Sequence, residues 1–208
     1  LNNLAQVALA RHQWVAARRL LERALELHDR SAPDTVSAAA AHGNLGFALS
    51  ELRDLASAER HYLEARRLFR LHAPDSVALG KIEENLASLA FDSGRLEEAE
   101  SGFRRALAIK SAAAPGSLTE ATSRSALGRL LLDTGDPDAE TQLEAALAIL
   151  QRRAPGSAGE AIVLHALGRL ERQRGDRDSA LELWRQAVAV VERQAKRCLL
   201  YTSPSPRD

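Results

Sequence analysis

The sequence is poor in the residues that mark many catalytic and secreted proteins. Of 208 residues one is cysteine and none is methionine. A disulfide framework or multi-thiolate metal site cannot be built from that set. Aromatic residues make up 4%, too few for a sheet core, whose strands favour aromatic and β-branched side chains. Neither sign of charge is in excess: 28 Lys and Arg balance 28 Asp and Glu. That removes the basic surplus expected of a protein that binds nucleic acid or an anionic membrane. No apolar run approaches the roughly 20 residues of a membrane span, and no secretory leader is visible. The histidines His12, His28, His42, His61, His72 and His165 form no HExxH and no convergent metal set. There is no glycine-rich phosphate loop and no nucleophile motif. The expectation is a protein that is not an enzyme, with no catalytic residue, no metal and no cofactor. Its partner would be a protein or peptide, not nucleic acid or a membrane, and its location cytoplasmic.

What the chain does have is a period. Leu4, Leu45, Leu86 and Leu127 recur every 41 residues, and Leu167 follows 40 later. A small residue comes next each time: Ala5, Gly46, Ala87, Gly128, Gly168. An alanine follows further on (Ala17, Ala58, Ala99, Ala139, Ala180), then a large apolar residue (Leu21, Tyr62, Phe103, Leu143, Trp184) and another alanine (Ala24, Ala65, Ala106, Ala146, Ala187). Self-similarity at this spacing defines a stacked repeat protein, which offers a long surface and no evident reaction centre.

Each copy reads as two helices. In the third, Val77, Ile82, Leu86, Leu89 and Ala90 follow one face of a 3.6-residue period from about Asp75 to Asp92, and a second helix follows from Leu96 to about Ala112. Gly94, Gly135 and Gly175 share one repeat position, where a helix end needs positive φ. His12 and Arg53 stand there in the first two copies, so those turns should be slightly strained or differently shaped. The short turn makes the two helices antiparallel neighbours. Small residues would let the backbones approach and large ones fill the space between. The fourth copy lacks a residue between Gly135 and Ala139, where Asp136-Pro137 suggests an N-cap followed by proline; a local adjustment is expected. Ala-Pro phrases at Ala32, Ala73, Ala114 and Ala154 separate the copies. Ser117 with Glu120, and Ser157 with Glu160, read as capping boxes. Glu83-Glu84, Glu97-Glu98, Arg18, Arg19, Glu22 and Arg23 read as helix surface. Trp14 and Trp184 read as core, and Gly43 to Gly46 as packing.

These positions resemble the tetratricopeptide repeat. The longer period, "LNNLA" at Leu1 to Ala5 and the "APD" phrases resemble its kinesin-light-chain type. The resemblance covers about residues 1–197, with repeats at about 1–32, 33–73, 74–114, 115–154 and 155–197. It implies an all-α, right-handed α-solenoid of five antiparallel helix hairpins, in one domain. It also implies a scaffold for protein–protein interaction, with a peptide or partner helix in a concave groove lined by the first helices. An alternative is a regulatory or substrate-recruiting region of a larger bacterial enzyme, a Ser/Thr kinase or caspase-like protease. Self-association is a third reading, with the oligomeric state left open.

Before each key leucine stand Asn3, Asn44 and Asn85, then Ala126 and Ala166. An amide carries both donors and acceptors, which suits an extended peptide backbone; in the kinesin-light-chain type, asparagines here contact peptide backbone. Gln6, Phe47, Ser88, Arg129 and Arg169 come two residues after the leucine, and Lys81, Thr122 and Ile162 five before it. The candidate peptide-binding residues are therefore Asn3, Gln6, Asn44, Lys81, Asn85, Ser88, Arg129 and Arg169, with an amide-rich part and a cationic patch.

The last eleven residues, Cys198 to Asp208, hold the one cysteine and two of the seven prolines. They look like the translation of a transposase adapter used in sequencing-library preparation, and are expected to be a non-native, disordered tail. Leu1 already lies inside a repeat and the adapter-like tail replaces the natural end, so the chain is expected to be a fragment truncated at both ends; its Ala-, Arg- and Leu-rich usage fits a GC-rich bacterium.

Overall fold

A computed structural model describes the backbone of residues 1–31 and 33–202, and the side chains of 1–31 and 33–196. All regular structure among these residues is helical: α1 (Asn2–Ala10), α2 (Trp14–Ser31), α3 (Val36–Glu51), α4 (Leu55–His72), α5 (Val77–Asp92), α6 (Leu96–Ala113), α7 (Leu118–Thr134), α8 (Ala139–Arg153), α9 (Ala158–Arg174) and α10 (Arg177–Thr202). They pair as hairpins, α1 with α2 through to α9 with α10. The chain falls into two compact units, Leu1–Ala113 and Ala114–Asp208. The boundary falls in the third Ala-Pro phrase. The tail expected to lose structure at Cys198 is helical to Thr202; residues 203–208 lie outside the described residues.

The repeat positions explain the hairpins. Ala17, Ala58, Ala99, Ala139 and Ala180 are all buried. Opposite them, the small residue of the first helix receives the large residue of the second. A Cβ on Gly46 would come within 2.7 Å of the Tyr62 ring, one on Gly128 within 2.8 Å of Leu143 Cγ, and one on Gly168 within 2.4 Å of Trp184 Nε1. Burying Leu21, Tyr62, Phe103 and Leu143 this way stabilises each hairpin by about 1.5–3 kcal/mol per side chain. Trp184 is half-buried, with its indole N–H donating to the His165 carbonyl at 3.2 Å. Trp14, also half-buried, meets Phe47 edge-on at 5.7 Å between ring centroids. Both tryptophans thus line the edge of the core rather than its centre.

Four expectations need correction. Leu4 is 60% exposed although Leu45, Leu86, Leu127 and Leu167 are buried. The helices α3, α5 and α9 each lie against a preceding hairpin of their own unit, whereas α1 packs on α2 and α3. Asp136 does not cap α8: its carboxylate accepts from the Asp138 N–H at 2.8 Å and the helix starts at Ala139. The missing residue is absorbed there, and Ala139, Leu143 and Ala146 keep their buried register. The capping boxes are extended by one residue. Ser117 and Ser157 accept from Glu120 and Glu160 N–H, but the glutamates reach back to Gly116 and Gly156 N–H, each at 2.6 Å. Both glycines have positive φ, which aims their N–H groups at the carboxylates.

The fourth correction is the largest. Glu83 and Glu84 are buried, not surface. Glu83 accepts from Arg70 at 2.7 Å and Arg105 at 3.1 Å, with Arg66 at 3.9 Å. Glu84 pairs with the Lys110 ammonium at 2.7 Å, and Lys110 is only 2% exposed. Burial pushes the Lys110 ammonium below the ordinary lysine value, and Glu84 opposes that shift. Lys110 stands at the repeat position of the buried Phe69 and Leu150, so the third hairpin has an ion pair where the second and fourth have hydrocarbon. Glu97 and Glu98 are exposed as expected.

The turn position shows one conformation in every copy. Gly94, Gly135 and Gly175 have φ of 74°, 75° and 90°, and His12 and Arg53 have 55° and 64°. The two non-glycine residues therefore hold a left-handed backbone that costs them roughly 1–2 kcal/mol each.

Candidate functional site

Within each unit the first helices of neighbouring hairpins lie against one another, α1 on α3, α3 on α5 and α7 on α9. In the first unit this builds a groove between α3 and α5. Gln6, Asn44, Phe47, Lys81, Ile82 and Asn85 line one recess of about 270 Å³. Phe47 and Asn85 continue into a second recess of about 240 Å³, with Ser88, Glu51 and Asp92 at its far end. Asn44 and Asn85 are half-buried, and neither side-chain amide has a hydrogen-bond partner among the described residues. Phe47 is 37% exposed between them. Ser88 donates to the Glu84 carbonyl at 3.0 Å.

Of the candidates in this unit, Gln6, Asn44, Lys81 and Asn85 come together, and Ser88 joins them through the adjoining recess. Asn3 does not. It lines a separate recess with Leu1, Leu27, His28 and Ser31, so the three-rung asparagine ladder is a pair.

In the second unit Arg129 and Arg169 line one cleft of about 660 Å³ together with Glu192. Arg169 is tied to Asp133 at 2.6 Å. Alanines form much of the floor, and Ile162, Val188 and Val191 are exposed around it. Thr122, by contrast, donates to the Leu118 carbonyl at 2.9 Å. Sequence reasoning missed Phe69, Val188 and Val191 because it credited the groove to first helices alone. It also missed Glu51 and Asp92, although their register six residues after the key leucine was readable, with Asp133 at the same position.

On the other side of α3, the His42 and His61 rings stack with 5.2 Å between centroids and their Nδ1 atoms are 2.9 Å apart. Burial lowers both imidazole pKa values. At His61 the neighbouring His42 adds to this, taking it to about 4. No group of three or more His, Cys, Asp or Glu among the described residues is placed to hold a metal ion. No helix among them is long and apolar enough to cross a membrane.

The tetratricopeptide repeat family model matches residues 1–70, 78–140 and 137–193. The chain belongs to this family. Its fold is similar to that of BtubC (BKLC) from P. vanneervenii, with a TM-score of 0.79 at 21% identity over 99% of this chain and 82% of that one. It is similar also to a Podosopora anserina putative kinesin light chain with nearly identical repeats, with a TM-score of 0.73 at 19% identity over 93% and 94% of the two chains. A third similar fold is YrrB, a tetratricopeptide protein with an unusual peptide-binding site, with a TM-score of 0.58 at 19% identity over 90% and 83%. No curated protein matches the sequence.

Proposed function

We propose that the chain is a protein-interaction scaffold that binds a peptide or partner helix on the faces lined by the first helices of its hairpins. The observation that carries this is the pair Asn44 and Asn85. One repeat apart, they line a single recess with amides uncommitted among the described residues, so a bound backbone can take both a donor and an acceptor from each. Phe47 between them supplies an apolar contact, and pre-organised helices reduce the ordering cost of binding. The family membership supports the reading, as does the peptide-binding site of YrrB, a protein of similar fold. In the second unit Arg129 and the exposed Ile162 and Val188 suit an amphipathic segment with an acidic residue. The test is peptide selection against the chain, followed by Asn44→Ala with Asn85→Ala. Weaker binding with an unchanged melting curve is the expected result; unchanged affinity removes the amide pair from the reading.

A further inference from the structure

The C-terminal ends of α3 and α5 carry an electrostatic fault. Glu51 is the last residue of α3 and Asp92 the last of α5. A carboxylate there meets the negative end of the helix dipole, a position that favours cations. Both side chains are exposed, and neither makes an ion pair among the described residues. Arg53 lines the same recess, leaving two carboxylates against one guanidinium. The second unit shows the repaired version. Asp133 holds the same repeat position in α7, and Arg169 of the next first helix meets it at 2.6 Å. The residue of α5 that corresponds to Arg169 is Ser88, whose hydroxyl is turned to its own backbone. A locally unfavourable choice without an internal remedy marks a functional position.

We propose that the partner of the first unit is a short peptide whose Arg or Lys side chain takes the place over Ser88, between Glu51 and Asp92, while an apolar side chain sits against Phe47, Phe69 and Ile82. This rests on the reading of the groove given above and adds the partner's chemistry to it. The dipoles of two parallel helices reinforce the charges, with Lys81 toward the opposite, positive end of the groove. From Lys81 to Asp92 is eleven residues of helix, about 16 Å at 1.5 Å per residue. An extended peptide covers that in about five residues.

Three blocked hexapeptides of one leucine-centred sequence, ending in Arg, Gln or Glu, test this by chemical-shift titration of the full chain. The Arg peptide is expected to bind about threefold to tenfold more tightly than the Gln peptide, and the Glu peptide least. Glu51→Gln with Asp92→Asn should abolish the advantage of the Arg peptide over the Gln peptide measured on the same variant, and Ser88→Arg, which copies the second unit, should do the same. Equal affinities for Arg and Gln peptides overturn the inference and leave the groove reading standing. If no peptide binds at millimolar concentration, the groove reading falls and takes the inference with it. A chain that sediments as a dimer whose interface excludes all three peptides assigns the groove to a second copy and overturns it as well.

Discussion

Between α7 and α9 the acid in the last turn of a first helix is neutralised from within, Asp133 by Arg169; between α3 and α5 its counterparts Glu51 and Asp92 are left open beside Ser88. The core shows the reverse. The second unit fills its repeat position with Leu150, and the first places the ammonium of Lys110 there, matched by Glu84. Hairpins of the same pairing thus carry charge in the interior in one unit and hydrocarbon in the other. What differs is whether each charge has its partner inside the chain.

The comparison breaks most visibly at the buried pair. Glu84→Ala leaves Lys110 buried and without its main counter-charge, and should cost about 3–5 kcal/mol in chemical denaturation, whereas Glu84→Gln with Lys110→Met should be close to neutral or stabilising. A small loss for Glu84→Ala would mean that water reaches Lys110 and that the two units are less different than their burial implies. Next is the helix crossing shared by both units. Ala99→Leu should overpack it at a cost of roughly 1–3 kcal/mol, while the exposed Glu98→Ala should stay within about 0.5 kcal/mol. If both are neutral in thermal melts, the crossing assignment is wrong.

A third test uses pH. His42 and His61 have folded pKa values below the ordinary 6.5, that of His61 at about 4. The unfolded chain therefore binds more protons across that window, and stability falls as pH drops from about 6.5 toward 4. The pair lies in the first unit. Melting temperatures at pH 7 and pH 5 should differ less after His61→Phe, and an unchanged difference would assign the acid sensitivity elsewhere. The smallest effect belongs to the turns. Arg53→Gly should raise stability by up to about 1 kcal/mol, because it relieves a left-handed residue that Gly135 and Gly175 already relieve in the second unit. A decrease would show that the Arg53 side chain contributes more than its backbone costs.

The hairpins were legible from sequence because their packing is local and repeated. Gly46 with Tyr62 and Gly128 with Leu143 are paired within one copy, and the period exposes them. Glu83 and Glu84 were misread because a carboxylate looks like surface unless the cations converging on it are known. Those cations come chiefly from α4 and α6. Asn3 was misplaced for a related reason. Its register matches Asn44 and Asn85, but it opens onto a recess walled by Leu27, His28 and Ser31 of α2 and not onto the one that Gln6 shares with Asn44.

By itself the sequence determined the repeat, the two helices of each copy, the left-handed turns and the alanine crossings, since all depend on residues within about one period of each other. Tertiary structure alone decided which charges are buried, which asparagines meet, and which helix-end acids find an arginine. Those outcomes depend on the distance between side chains on different helices, and periodicity carries no information about that distance.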